Sequence, residues 1–230
     1  MRKKIPEHVV VVPDGNRRWA KEKGFREIEG HIRAGTYKHL KNILDEAKKL
    51  GIRYVTLWGF STENFNRSNL EKNNLFGIFR KLIKDFSEDA MGNKVRFRHF
   101  GRRDRLPKDL MESIEKLEKD TEEFEDWNVS VCLDYGGRDE LIRAINRLLE
   151  EGKKEISADD FADYLDTKDV PDPDLIIRTS GEQRLSGLMP FQSVYSELLF
   201  VEKHFPDFSG EDLRRAVEEY SNRDRRFGKS

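Results

Sequence analysis

Four consecutive valines, Val9 to Val12, run directly into Pro13-Asp14-Gly15-Asn16-Arg17-Arg18-Trp19-Ala20. An unbroken apolar run of this length reads as a buried strand. Asp-Gly-Asn is a turn signal, and a helix-permissive stretch follows it. A carboxylate is therefore placed at the end of a buried strand, beside a helix N-terminus and two guanidiniums. Free backbone N–H groups at a helix start bind phosphate, and arginine forks grip phosphate oxygens. A carboxylate in the same place can hold Mg²⁺, which bridges to substrate phosphates. The segment reads either as a plain turn or as a site for a diphosphate and its metal. Neither Gly-Lys-Ser/Thr nor Gly-x-Gly-x-x-Gly follows, so the standard nucleotide loops are excluded.

Along the chain, strand-like and helix-like patterns alternate. Further strands are expected at 54–58, 95–100, 129–133, 175–177 and 198–201. Helices are expected from about 30 to 50, closed by Gly51, from about 74 to 90, around 110–117 and 141–149, and from about 209 to 226. Strands separated by helices require crossover connections. The pattern predicts an α/β fold, a single domain over residues 1–230 with a mainly parallel β-sheet flanked by helices. Ligands of such sheets bind beyond the carboxyl ends of the strands.

Composition narrows the partners. Lys+Arg 43 against Asp+Glu 44 gives a net charge of −1, so the global basic field expected of a nucleic-acid binder is missing. The lone cysteine, Cys132, excludes an internal disulfide and a cysteine metal site and reads as a buried thiol. There is no signal-peptide pattern and no apolar run of membrane-spanning length, which predicts a soluble, cytoplasmic protein. Asp159-Asp160-Phe161-Ala162-Asp163 spells D-D-x-x-D, a diphosphate–Mg²⁺ motif of all-helical prenyltransferases. One copy in a strand-rich chain reads instead as a first helical turn capped by Ser157.

Three segments at expected strand ends carry donors suited to phosphate: Asp14–Arg18, then Ser61-Thr62-Glu63-Asn64-Phe65-Asn66-Arg67, then Arg178-Thr179-Ser180-Gly181-Glu182-Gln183-Arg184-Leu185-Ser186. Three such clusters at the ends of one sheet point to a phosphate site. Glu197, bordered by Val194, Tyr195 and Leu198, reads equally as a second metal-linked carboxylate or as a strand-edge salt bridge.

These residues carry a resemblance. The chain resembles the cis-prenyltransferases, the undecaprenyl-diphosphate and dehydrodolichyl-diphosphate synthases, from His8 to Gly228. The matching motifs are His8 with Asp14-Gly15-Asn16 and Trp19-Ala20, then Phe60-Ser61-Thr62-Glu63-Asn64-Phe65 with Arg67, then Asp174 to Ser186. Phe205-Pro206-Asp207-Phe208 and Arg225-Arg226-Phe227-Gly228 match as well. The Asp-Gly-Asn-Arg-Arg-Trp and Arg-Thr-Ser-Gly-Glu forms look more like archaeal or eukaryotic members.

The resemblance implies a Mg²⁺-dependent condensation of isopentenyl diphosphate with an allylic diphosphate, giving a cis-polyprenyl diphosphate for a lipid glycosyl carrier. It implies that Asp14 serves Mg²⁺ and diphosphate departure, while Ser61 and Asn64 lie near the condensing carbons. Gly15, Asn16, Arg18, His31 and Arg67 would surround the allylic diphosphate, with Trp19 and the more weakly matched Arg26 in the same set. Arg178, Arg184 and Ser186 would clamp the diphosphate of isopentenyl diphosphate, and Glu197 would help hold Mg²⁺. The Arg226-Phe227-Gly228 tail would reach across a homodimer into the partner's site, and membrane contact would serve product release. The apolar face Leu75, Phe76, Phe79, Leu82, Ile83 and Phe86 reads as core and as the wall of a tunnel for the growing tail.

Two alternatives stay open on residues alone. An aspartate-nucleophile phosphatase would use Asp14, although Asn16 stands where such sites usually carry a second acid. A non-catalytic partner subunit of a prenyltransferase would tend to lose the Asp-Gly-Asn site that this chain keeps.

Overall fold

The computed structural model describes residues 4–223. Its centre is a six-stranded sheet built from β1 (His8–Val12), β2 (Tyr54–Ser61), β3 (Val95–Phe100), β4 (Trp127–Tyr135), β5 (Leu175–Thr179) and β6 (Glu197–Val201), in the order β3-β4-β2-β1-β5-β6. Every neighbouring pair is parallel. The valine run lies at the middle because both of its faces are covered. Val9 and Val11 face one apolar cluster, and Val10 and Val12 face the other. Cys132 is buried on the second side, as a structural thiol would be.

The helices are α1 (Asn16–Glu22), α2 (Glu27–Ala34), α3 (Tyr37–Leu50), α4 (Asn69–Asn93), α5 (Lys108–Asp120), α6 (Gly137–Glu150), α7 (Ala158–Ala162) and α8 (Gly210–Ser221). Apolar stripes of α3, α4, α5 and α8 build the larger core layer, through Ile43, Phe79, Ile114 and Leu213 among others. Ser157 caps α7 by accepting a hydrogen bond from Asp160 N at 3.1 Å, so the D-D-x-x-D stretch is a helix start.

Three boundaries differ from the periodicity. The stretch expected as one helix over 30–50 is broken at Gly35-Thr36. Thr36 is extended and caps α3 by accepting from His39 N at 3.3 Å. The long helix begins earlier than 74, because Ser68 Oγ accepts from Glu71 N at 3.2 Å and caps α4 at Asn69. The last helix ends at Ser221, so it stops short of 226.

Candidate active site

Parallel pairing sends the ends of β1, β2 and β5 to one edge of the sheet, and β1 lies between the other two. Val12 pairs with Arg178, so Asp14 sits two residues past the level of that arginine. Arg178 Nη2 donates to Asp14 Oδ2 at 2.8 Å, and Arg18 Nη2 donates to Asp14 Oδ1 at 3.1 Å. The Asp14 main chain is held too. Its N–H donates to Thr179 Oγ1 at 2.8 Å, and its carbonyl accepts from Phe205 N at 3.0 Å. Thr179 belongs to the donor-rich segment 178–186, and its hydroxyl is bonded to the Asp14 main chain, a role the sequence did not suggest.

Burial raises the Asp14 carboxyl, but the Arg178 hydrogen bond, the Gly15 N–H and the charges of Arg178 and Arg18 outweigh it and leave its pKa lowered. Gly15 has φ 90°, and a Cβ there would come within 2.3 Å of Ser180 Oγ, so only glycine fits. The following helix α1 has only seven residues. The positive charge at its start comes from Arg17 and Arg18.

Arg178 is almost wholly buried, its side chain 7% exposed. Its Nη1 donates to Ser186 Oγ at 2.9 Å and to the Arg184 carbonyl. Ser186 has φ 53° and Ser180 φ 80°, so the loop after β5 doubles back over the arginine. Arg184 presents a largely exposed guanidinium, tied to Glu182, which also accepts from Arg18 Nη1 at 2.6 Å. Glu182 thereby links two guanidiniums, a role the sequence did not suggest.

On the other side of Asp14, Asn16 Nδ2 lies 3.4 Å from His31 Nδ1. Burial and the nearby charges of Arg67 and Arg17 push the His31 pKa down to about 4, so the ring is neutral at pH 7. With Nδ1 accepting from Asn16, the proton resides on Nε2. That nitrogen is buried without a partner among the described residues, as is Asn16 Oδ1. Arg67 donates to Glu71 at 3.0 Å. Ser61 and Asn64 form a reciprocal capping box around the 3₁₀ turn Thr62–Asn66, with Ser61 N donating to Asn64 Oδ1 at 3.2 Å.

Asp14, Asn16, His31, Ser61, Asn64, Arg67, Arg178 and Ser186 line one cavity of about 280 Å³. Its inner wall is apolar, with Leu57, Phe79, Leu82 and Val131, and the same four residues wall a second cavity of about 60 Å³ that reaches Phe86 and Phe97. A polar cavity thus backs onto a smaller apolar one between α4 and the sheet, with these four side chains as their shared wall.

Gly15, Arg18 and Arg184 are bonded to Asp14 or Arg178 without lining the cavity, and three further expected residues fall elsewhere. Arg26 is 83% exposed on the side chain and bonded to Glu29, away from the cavity. Trp19 stacks on Phe25 at 5.8 Å and does not line the cavity. Glu197 opens β6 and pairs with Leu175 at the start of β5, the sheet edge opposite Asp14. It accepts from Arg223 Nη1 at 2.9 Å, so within the chain it is a salt-bridge partner. Within the chain it stands apart from Asp14, because three strand residues, roughly 10 Å, separate its level from that of Arg178. Arg226 lies outside the described residues.

Known proteins are similar to this chain in sequence and fold. The family model "Putative undecaprenyl diphosphate synthase" matches residues 12–228. The isoprenyl transferase of Fusobacterium nucleatum is 41% identical over 99% of this chain and 98% of its own length. That of Thermotoga maritima is 43% identical over 98% and 97%. These two relatives are bacterial, where the motif details point to archaeal or eukaryotic members. Among solved structures, lavandulyl diphosphate synthase from Lavandula x intermedia, in complex with dimethylallyl diphosphate, superposes with a TM-score of 0.92. It is 34% identical and covers 98% of this chain and 99% of that one. A "probable undecaprenyl diphosphate synthase" from Campylobacter jejuni gives 0.83 at 30% identity, covering 98% and 100%. With the family model matching residues 12–228, and with relatives 41% and 43% identical over nearly its whole length, the chain belongs to the undecaprenyl diphosphate synthase family and is a cis-prenyltransferase.

Proposed function

We propose that this enzyme condenses isopentenyl diphosphate with an allylic diphosphate, using Mg²⁺, to make a long-chain cis-polyprenyl diphosphate that serves as a lipid glycosyl carrier. The single observation that carries the reading is that a cavity lined by Asp14, Arg67 and Arg178 shares its apolar wall with a second, apolar cavity. The bond from C1 of the allylic substrate to its diphosphate oxygen breaks, and the electron pair leaves with diphosphate. C4 of isopentenyl diphosphate bonds to that C1, and a proton leaves C2.

The residues divide by position. Asn16, His31 and Arg67, with Gly15 and Arg18, hold the allylic diphosphate. The unpartnered His31 Nε2–H is a neutral donor for it. Arg178 and Ser186, with Arg184 at the rim, hold the second diphosphate, and two adjacent pockets align the reacting carbons. Fixed donors stabilise the departing charge. Ser61 and Asn64 stand on the turn beside both pockets.

The donor set fits Mg²⁺. This ion usually takes one or two carboxylates and completes its octahedron with substrate phosphates and water. Asp14 offers one ionised carboxylate beside the guanidiniums that would bring phosphate. Among the described residues no cluster of three or more acidic, histidine or cysteine side chains exists, so substrate and water would supply the remaining ligands. When bound, Mg²⁺ neutralises charge on the leaving diphosphate.

A homodimer is supported by a bare apolar stripe on α6, where Ile142, Ile145 and Leu149 are exposed at helical spacing, with Val194 and Tyr195 exposed beyond it. Phe25, Ile32 and Leu70 are exposed near α2 and at the start of α4, which supports membrane contact during product release from a cytoplasmic enzyme. Among the described residues no helix is long and apolar enough to cross a membrane. No feature favours a phosphatase or a non-catalytic subunit. The carboxylate is engaged by two arginines, and Asn16 stands where a phosphatase would carry its second acid.

The test incubates the protein with labelled isopentenyl diphosphate and allylic primers of increasing length, with and without Mg²⁺, and sizes the lipid products. Long cis-polyprenyl diphosphates formed only with Mg²⁺ are expected. Release of inorganic phosphate without chain growth would overturn the reading.

A further inference from the structure

Arg105 belongs to none of the three strand-end segments. It follows β3 in the loop Gly101–Pro107, just before α5. Its Nε donates to Asp134 Oδ2 at 2.8 Å and its Nη2 donates to Asp134 Oδ1, a two-toothed grip. The same guanidinium lies over the Phe65 ring, with Cζ 4.5 Å from the centroid. Phe65 is the residue after Asn64, inside the 3₁₀ turn that carries Ser61, Asn64 and Arg67 into the cavity.

Each partner in this stack is constrained. The Asp134 side chain is fully buried, and its φ of 52° puts a non-glycine residue in the left-handed region. A carboxylate buried there needs a counterion, and Arg105 is its bonded one. Phe65 in turn packs edge-on against Phe60 at 5.2 Å and near Phe76 at 6.2 Å. Lys72 Nζ donates to the Phe65 carbonyl at 3.1 Å, which ties the turn to the first turns of α4. The end of β4 meets the turn directly as well. Tyr135 pairs with Ser61 across a register shift, and a Cβ on Gly136 would come within 2.3 Å of Thr62 Oγ1.

We propose that Arg105, clamped by Asp134 and stacked on Phe65, is a positioning residue that sets the Ser61–Arg67 turn against the two diphosphate pockets. A planar cation suits both tasks at once. It matches a carboxylate fork and an aromatic face, and a lysine does only part of either. The guanidinium touches neither cavity nor substrate, so its effect on the reaction passes through Phe65. The inference rests on the proposed roles of the turn residues.

Kinetics of Arg105→Met, Arg105→Lys, Phe65→Leu and the double variant Arg105→Met/Phe65→Leu test it. Arg105→Met is expected to lower kcat by about tenfold or more and to raise the KM of the allylic primer several-fold, with the KM of isopentenyl diphosphate unchanged. Arg105→Lys, which keeps the ion pair, is expected to fall between parent and Met, and it carries the test if the Met variant does not fold. Because both residues act through one contact, the double variant is expected to lose little more than the worse single one. Losses that multiply in the double variant overturn the proposal. So does an Arg105→Met protein whose kcat per folded molecule equals the parent's. A parent protein without condensation activity would refute the proposed function instead, and is read from the same assay before any variant.

Discussion

Asp14 and Arg178 lie 164 residues apart in sequence and 2.8 Å apart in space, joined by an ion pair at the carboxyl edge of the sheet. The pair exists because β1 and β5 are adjacent and aligned, with Val12 opposite Arg178. It keeps the carboxylate ionised, and it fixes the guanidinium before any substrate arrives. Fixed charge of this kind costs little reorganisation during reaction.

Asp14→Ala is therefore expected to cut turnover by roughly 10²–10³. The fold should persist, with a folded thermal transition. Steady-state rates near those of the parent would contradict the assignment. Arg178→Lys keeps the charge but loses the fork. It is expected to raise the KM for isopentenyl diphosphate about tenfold or more, and that for the allylic primer less, since one lost charge-assisted bond is worth about 1.5–3 kcal/mol. A change confined to the primer would exchange the two pockets.

Buried imidazoles make stability depend on pH. Burial drives His8 and His99 down to about 4 from 6.5, against weaker opposing bonds to Pro171 and Leu133 carbonyls. Between those pH values the unfolded chain binds protons that the folded chain refuses. Stability is therefore full above about pH 6.5 and falls as pH drops towards 4, by roughly 2 kcal/mol per imidazole at pH 5. Urea unfolding at pH 7 and pH 5 measures this. His99→Gln should flatten the dependence, and an unchanged slope would remove His99 from the account.

The channel wall should govern product length. Phe79 and Phe86 side chains narrow the apolar cavities, and Phe86 stands at the inner end against Phe97, with ring centroids 5.7 Å apart. Phe86→Ala is expected to lengthen the products and Leu82→Trp to shorten them, as read by chromatography of the dephosphorylated lipids. Folded variants that all give the parental distribution would reduce this helix face to plain core.

Gly30 controls how closely α2 approaches α1. A Cβ at this position would sit 1.9 Å from the Asn16 carbonyl oxygen, which is main chain and cannot swing aside. Gly30→Ala is expected to cost about 1–3 kcal/mol of stability through forced separation. It should also raise the KM of the allylic primer, because Asn16 and His31 are carried on the two helices being parted. A variant with parental stability and KM would show that the contact yields freely.

Much of the architecture was already present in the chain as pattern. The valine run, the helical stripes and the turn chemistry around Gly51 and Ser157 are local, and local periodicity reports which residues must be buried. Donor-rich segments at strand ends mark the carboxyl edge of the sheet in the sequence itself. Places where the pattern misled are places where one or two residues outweigh a long stripe. The Gly35-Thr36 break interrupts a continuous apolar period, and Ser68 starts α4 ahead of its apolar face.

Strand order is what the sequence by itself did not contain. Glu197, bordered by apolar residues, reads from sequence equally as a metal-linked carboxylate or as a strand-edge salt bridge. Only the parallel pairing of β6 with β5 puts it at the opposite edge, bonded to Arg223. The same holds for Arg105, whose partners Asp134 and Phe65 are 29 and 40 residues away and meet it because β3, β4 and β2 are adjacent. Residue types and their local spacing determined what chemistry the chain can hold. The tertiary structure decided which of those groups share a site, because contact between distant residues follows from sheet topology, and topology has no local signature.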